Sequence, residues 1–98
     1  MYKRQTKHAV EGMTKAAAVE LAPHGVRVNA VAPTFVETPM TAPFLAEGRF
    51  RAEVLDRIPM GRVGAIADVA GAVVYLASDA AGMVNGAILA VDGGWTAQ

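Results

Sequence analysis

Residue types that often carry chemistry are sparse in this sequence of 98 residues. His8 and Glu11 stand three positions apart, so a helix would place them on one face, where they could form half of a metal site. The chain has two histidines and no cysteine, so a solvated polar face is the preferred explanation of the pair. The second histidine, His24, lies beside Gly25 in a predicted helix-ending turn, where a histidine favours the helix C-terminus electrostatically.

Other common active sites also find little support. Ser78 is the one serine of the chain, and no histidine lies near it in sequence. A Ser–His–Asp hydrolase is therefore not indicated. The chain contains neither a G-x-G-x-x-G motif nor a P-loop, the two glycine-rich patterns that bind phosphate groups. Residue types alone leave the site unassigned.

The composition narrows the class of protein. Nine basic and nine acidic residues cancel to a net charge of zero, and no basic patch of the kind that binds nucleic acid is present. No apolar run reaches the roughly 20 residues of a membrane span, and no apolar signal-peptide segment opens the chain. We expect one soluble, cytoplasmic domain with no nucleic-acid or membrane partner. The 53% hydrophobic content suggests that some apolar surface is covered by a neighbour.

The apolar pattern predicts three helices. A stripe at helical spacing predicts a long helix over residues 6–24, ended by Gly25. Its members are Val10, Met13, Ala17 and Leu21. A shorter helix is predicted over 43–57, with a break at Gly48, and a second long helix over 65–82.

Two runs of β-branched and small apolar residues predict strands over 26–31 and 87–91. Because a helix connects them, they should form a parallel pair with a right-handed crossover. Parallel sheets usually contain more strands than two, with both faces covered. We therefore expect the edge of a larger doubly wound sheet, with one side of the first strand unpaired. Four or more strands in this chain would overturn the interpretation as a fragment of such a sheet.

Residues 6–40 closely resemble the middle of the classical short-chain dehydrogenases/reductases, and residues 61–95 resemble their C-terminal end. The motifs that carry the resemblance are "TKHAV", "VRVNAVAP", "PTFVET" and "VDGGW". The resemblance implies an α/β fold: the C-terminal part of a Rossmann-like doubly wound parallel sheet, with two parallel strands plus helices in one partial domain over 1–98. It further implies an oxidoreductase that uses NAD or NADP for hydride transfer between an alcohol and a carbonyl substrate. Intact family members are dimers or tetramers.

The same resemblance implies site residues. Lys7 stands where the family has a catalytic lysine that also hydrogen-bonds the nicotinamide ribose. A loop that cradles the nicotinamide carboxamide and the pyrophosphate corresponds to Pro33, Thr34, Val36 and Thr38, with Thr34 in place of the usual glycine. Asn29 and the Asp92-Gly93-Gly94 turn match positions that we interpret as structural.

Residues 39–60 correspond to the family's substrate lid. Within that region Met40, Phe44 and Leu45 either line an apolar pocket or pack the lid onto the body of the domain. The family's glycine-rich phosphate turn and its catalytic serine have no counterpart in this chain.

The family's Y-x-x-x-K tyrosine would stand at position 3, which is a lysine, whereas Tyr2 is one place too early. Residues four apart on a helix project to nearly the same side, but residues five apart diverge by about 140°. Lys7 would thus face a like charge where the family has a proton donor.

Three accounts of residues 1–5 stay open: a non-native leader, a degenerate family member, or a shifted helix frame that brings Tyr2 into place. We expect the chain alone to be inactive. The alternatives are a non-catalytic fragment that associates with itself or with relatives, and a gene fragment without a function of its own.

Overall fold

The computed structural model describes the backbone of residues 2–98 and the side chains of residues 5–98. Helices and short strands alternate along the chain. In order they are α1 (Tyr2–Leu21), β1 (Ala30–Pro33), β2 (Val36–Glu37), α2 (Ala42–Leu45), α3 (Gly48–Arg57), β3 (Gly64–Ala65), α4 (Ile66–Ala77) and β4 (Ile88–Val91). Single 3₁₀ turns cover Ala22–His24, Asp79–Ala81 and Trp95–Ala97.

The first helix is longer than the sequence pattern predicted. It begins at Tyr2 and not at residue 6, because the residues after Tyr2 are lysine, arginine and glutamine, which are good helix formers. Its end is as predicted: a 3₁₀ turn leads to Gly25, which has φ 76° and donates its N–H to Ala22 O at 3.0 Å. Glycine is favoured there because the left-handed conformation costs it nothing.

The later helices also differ from prediction at their ends. The helix predicted over 43–57 is interrupted as expected, at residues 46–47. Gly48 itself begins α3, because the Glu47 carboxylate accepts hydrogen bonds from the N–H groups of Arg49 and Phe50. The helix predicted over 65–82 ends at Ala77. Ser78 then becomes extended, with ψ 165°.

The main sheet is the predicted parallel pair. β1 lies beside β4, in a register that joins Ala30 to Ile88 and Pro33 to Val91. Among the described residues, no strand lies against the other edge of β1. A second parallel pair, β2 with β3, was not predicted. The described residues therefore contain four strands, the number stated as contrary to the fragment interpretation. The second pair, however, is a separate two-residue ladder that does not widen the main sheet.

Strand β1 starts four residues later than predicted. Before Ala30, asparagine side chains form hydrogen bonds with backbone groups that would otherwise pair in the strand ladder. The Val28 N–H donates to Asn85 Oδ1 at 3.0 Å. Asn29 donates from Nδ2 to Val84 O and accepts the Ala87 N–H at Oδ1, both at 2.9 Å. The structural role predicted for Asn29 is confirmed.

The principal core lies between α2, α3 and the segment before β3. Its buried members are Leu45, Val54, Ile58 and Val63, with Phe35, Leu55 and Trp95 packed against them. Helix α1 is tied to the segment before β4, where Asn85 Nδ2 donates to Ala18 O at 3.0 Å. No helix in the described part is long and apolar enough to cross a membrane.

Several large apolar side chains on α1 and α4 remain exposed. They are Val10, Met13 and Val19 on the first helix and Ile66, Val73, Val74 and Tyr75 on the second.

Candidate functional site

The carboxyl ends of β1 and β4 meet at one edge of the main sheet because the strands are parallel. The loop from Thr34 to Thr38 leaves β1 there, and the Asp92–Gly94 turn leaves β4 beside it. Ligands of doubly wound sheets bind in the crevice outside the carboxyl ends of the strands. All the cofactor-binding positions predicted on the loop therefore lie at the edge where a ligand is expected.

Thr34 tolerates its place in this loop without strain. Its N–H donates to Val91 O at 3.3 Å, which continues the β1–β4 ladder by one bond. Among the described residues, Phe35 is the only non-glycine residue with positive φ, at 53°. The residue that replaces the family's usual glycine thus avoids the left-handed region, as its side chain requires.

A threonine that the sequence analysis did not select holds the far end of the loop. Thr41 Oγ1 donates to Val36 O at 2.7 Å and accepts the Thr38 N–H at 2.8 Å. The Thr41 N–H donates in return to Thr38 O at 3.1 Å. The spacing of Thr38 and Thr41, three residues apart, is the local signal for such a hydroxyl-bonded turn.

The backbone of Val36 offers a hydrogen-bond donor. Gly64 donates its N–H to Phe35 O at 2.8 Å, and Val36 is in register with Gly64. Because alternate residues of a parallel strand face the same neighbour, Phe35 and Glu37 face β3, and the Val36 N–H is directed away from it. This N–H suits a carbonyl-type acceptor such as a carboxamide oxygen.

Lys7 and Pro33 lie in one cavity. It has a volume of about 470 Å³. Residues of α1, β1 and β4 line it: Thr6, Lys7, Val10, Glu11, Ala30–Pro33 and Ile88. The predicted lysine therefore shares a cavity with all four residues of β1, including Pro33 at its carboxyl end, where the predicted cofactor loop starts.

Thr34 instead lines a second cavity of about 410 Å³, which also contacts Asp92, Arg62 and Asp68. Val36 and Thr38 line neither of the two cavities. The predicted cofactor residues are thus neighbours along the chain and the sheet edge but do not share one cavity.

Asp92 is a buried carboxylate, 9% exposed. The Thr96 hydroxyl donates to it at 2.7 Å, and the N–H groups of Gly94 and Thr96 donate at 3.0 and 3.1 Å. The Thr96 side chain is the main cause that lowers its pKa, the two N–H groups add to it, and the positive charge of Lys7 contributes in the same direction. The predicted structural role of the turn that Asp92 opens is confirmed by these bonds.

An ion pair that sequence analysis missed fixes the start of α4. Arg62 Nη1 lies 3.0 Å from Asp68 Oδ2, which also accepts the Ala65 N–H at 2.7 Å. The hydrogen bond from Arg62 is the main cause that lowers the pKa of Asp68, and the same bond raises the pKa of Arg62. An acidic residue in the first turn of a predicted helix was the available signal.

The lid residues divide into exposed and buried ones. Met40 and Phe44 are 81% and 66% exposed, whereas Leu45 is 2% exposed and belongs to the core. Leu45 therefore packs the lid onto the body of the domain, the second of the two alternatives stated for it.

The other candidates gain no support from the described residues. No group of three or more His, Cys, Asp or Glu residues in the described part is arranged to hold a metal ion, so His8 and Glu11 stay without further ligands. Helix α1 is continuous from Tyr2 through Lys7. The side chains of Tyr2 and Lys3 lie outside the described residues.

Comparison with known proteins extends these observations. The family model described as Enoyl-(Acyl carrier protein) reductase matches residues 2–96. The 2-dehydro-3-deoxy-D-gluconate 5-dehydrogenase of Bacillus subtilis (strain 168) is 47% identical over 93 residues, which cover 95% of this chain and 37% of that protein.

Two solved structures are similar in both fold and sequence. A gluconate 5-dehydrogenase from Burkholderia cenocepacia J2315, in complex with NADP and tartrate, has a TM-score of 0.87 and 36% identity, over 96% of this chain and 37% of that one. A short-chain type dehydrogenase/reductase from Mycobacterium ulcerans has a TM-score of 0.90 and 34% identity, over 95% of this chain and 34% of that one. This chain therefore spans little more than a third of the length of these relatives.

Proposed function

Because this chain belongs to the short-chain dehydrogenase/reductase family, we propose that it is part of an NAD(P)-dependent oxidoreductase that interconverts an alcohol and a carbonyl compound. The observation that carries the proposal is the cavity that brings Lys7 together with Pro33 at the carboxyl end of β1. The similar gluconate 5-dehydrogenase was solved with NADP, which supports a nicotinamide cofactor at this edge. The substrate is a small alcohol or carbonyl molecule.

The residues present fit the nicotinamide half of such a cofactor. The Val36 N–H is directed away from β3, so we assign it as the donor to the carboxamide oxygen of the nicotinamide. Lys7 carries three ammonium donors and is assigned to the ribose hydroxyls and to the electrostatics of proton transfer. Pro33, Thr34 and Thr38 are assigned to shaping the loop that carries Val36. When bound, the cofactor supplies or accepts the hydride.

We further propose that this chain does not turn over substrate alone. A carbonyl that gains a hydride must also gain a proton, and a tyrosine is the usual donor in the family. Position 3, four residues before Lys7, is a lysine and not a tyrosine, so the phenol that would donate the proton is missing there and Lys7 meets a like charge instead.

The remaining assignments follow the same correspondence. Residues 1–98 form one partial Rossmann-like domain, and residues 39–60 are the lid, with Met40 and Phe44 as the exposed lid residues and Leu45 as its anchor in the core. In an intact enzyme this region belongs to a homo-oligomer.

The test is cofactor binding by the purified chain. We expect NADH or NADPH to bind saturably, followed by nicotinamide fluorescence, and Lys7→Met to raise the Kd by about tenfold or more, since a hydrogen bond from a charged group is worth about 1.5–3 kcal/mol. Lys15→Met is the matched control, because Lys15 is an exposed lysine on the same helix. No binding at millimolar cofactor, or equal binding by both variants, would contradict the assignment.

A further inference from the structure

Two aromatic rings join the cofactor loop to the segment after β4. Phe35 and Trp95 stack with ring centroids 4.4 Å apart and an angle of 17° between their planes. Phe35 lies in the middle of the loop from Thr34 to Thr38, and Trp95 begins the last 3₁₀ turn. The family correspondence assigned a role to neither residue.

The backbone of Phe35 needs contacts to keep its conformation. Its φ of 53° lies in the left-handed region, which a residue with a β-carbon adopts only when its surroundings impose it. Two contacts do so: the ring stack on one side, and the Gly64 N–H that donates to the Phe35 carbonyl on the other.

Trp95 is held to the body of the domain independently of the loop. Its N–H donates to Asp92 O at 3.2 Å, and Asp92 in turn accepts bonds from Gly94 and Thr96. Beyond Trp95, Gln98 Nε2 donates to Arg57 O at 2.7 Å, at the end of α3. These bonds hold the Trp95 backbone, and its indole packs against the buried core, so the ring has a fixed place against which a loop residue can be positioned.

We propose that the Phe35–Trp95 stack is an aromatic latch that positions the loop from Thr34 to Thr38, and so orients the Val36 N–H. Phe35 and Trp95 are positioning residues, since they act through the loop backbone. That the oriented Val36 N–H binds a nicotinamide cofactor rests on the proposed function. The order of the loop itself does not depend on that function.

The first test measures loop order without any cofactor. Phe35→Leu keeps a β-carbon at the same φ but removes the ring, and Phe35→Tyr keeps the ring. We expect Phe35→Leu to lower the hydrogen-exchange protection of the Gly64 and Thr38 amides by roughly 2- to 10-fold, the range expected for an aromatic pair. Phe35→Tyr should restore it, and the Ala30 amide in the main sheet should keep its protection in both variants.

The second measurement uses the fact that Trp95 is the only tryptophan of the sequence. Its emission should shift to longer wavelength in Phe35→Leu but not in Phe35→Tyr. Phe50→Leu is the matched control, because Phe50 is exposed on α3 and is no part of the stack. An unchanged emission in Phe35→Leu, or an equal loss of protection at Ala30, would overturn the latch.

Cofactor titration separates this inference from the proposed function. Phe35→Leu should raise the NADH Kd by the same roughly 2- to 10-fold factor, with Phe35→Tyr close to the wild type. Equal NADH binding by the wild type and Phe35→Leu would overturn the positioning role and leave the proposed function standing. If the wild type binds no NADH but the loop loses protection as expected, the proposed function fails for this chain and the latch stands.

Discussion

At the scale of single residues, Asp92 makes the stability of the turn after β4 depend on pH. Because its pKa is lowered in the folded chain, the folded state binds fewer protons than the unfolded state in acid. The carboxylate therefore contributes stability above about pH 4, and this contribution is lost as the pH falls through the pKa of the folded state.

We predict that Asp92→Asn lowers the free energy of unfolding at pH 7 by about 1–3 kcal/mol, since three donors lose a charged acceptor. The variant should also lose part of the acid dependence of stability. Urea unfolding between pH 3 and 7 measures both effects. Asp56→Asn, an exposed aspartate of α3, is the control, and an equal effect of the two substitutions would contradict the role given to Asp92.

At the scale of elements, two glycines should respond to alanine in opposite directions. Gly93 has φ 63°, and a β-carbon there would lie 2.6 Å from Cγ2 of the buried Ile58. We predict that Gly93→Ala lowers the free energy of unfolding by about 1–3 kcal/mol through backbone strain and overpacking.

Gly71 is the counterpart within α4, where an added β-carbon meets nothing within 4 Å. Gly71→Ala should raise the free energy of unfolding by about 0.5–1 kcal/mol, because alanine loses less backbone entropy in a helix. Thermal or urea unfolding of both variants gives the comparison. Destabilisation by Gly71→Ala would show that α4 is constrained by contacts beyond those within this chain.

The element ends show what local patterns can and cannot predict. Periodicity predicted the helix interiors and the parallel strand pair, because it depends on burial along one element. The start of β1 was missed because it depends on Asn85, which binds Val28 from 57 residues away. The start of α3 depended on Glu47, a carboxylate cap that the sequence did contain as a local signal.

The candidate site divides in a similar way. Lys7 and the loop residues came from a family resemblance, and the structure places them at one sheet edge. Thr41 and the Phe35–Trp95 stack were not predicted. The latter joins residues that are remote in sequence, and no composition or spacing indicates which two aromatic side chains meet.

At the scale of the whole molecule, the chain exposes more surface than its mass predicts. Its accessible surface is 7065 Å², against roughly 5,300 Å² for a compact monomer of the same mass. Its radius of gyration is 15.5 Å, against about 12.6 Å for a compact domain of this length. The excess is roughly twice the ~800 Å² that one partner buries in an interface of standard size.

We therefore predict that the isolated chain self-associates as its concentration rises, which sedimentation velocity can measure. Val74→Glu, on the exposed face of α4, should weaken association by about tenfold or more, because a valine side chain contributes about 1.5–3 kcal/mol when buried. Met83→Glu, at a side chain that is 98% exposed, should have a smaller effect. A monomer at the highest soluble concentration would contradict this prediction.

The pairing of β1 with β4 has a consequence for how the chain reaches its native state. Asn29 and Ala87, which lie at the start of this pair, are 58 residues apart in sequence. A large loop must therefore close before β1 gains a neighbour. The chain loses conformational entropy on this closure before the contacts between β1 and β4 stabilise it. Although most of its regular structure is helical, the chain should fold at the slower rates of non-local topologies, with α1 forming long before the sheet that it covers.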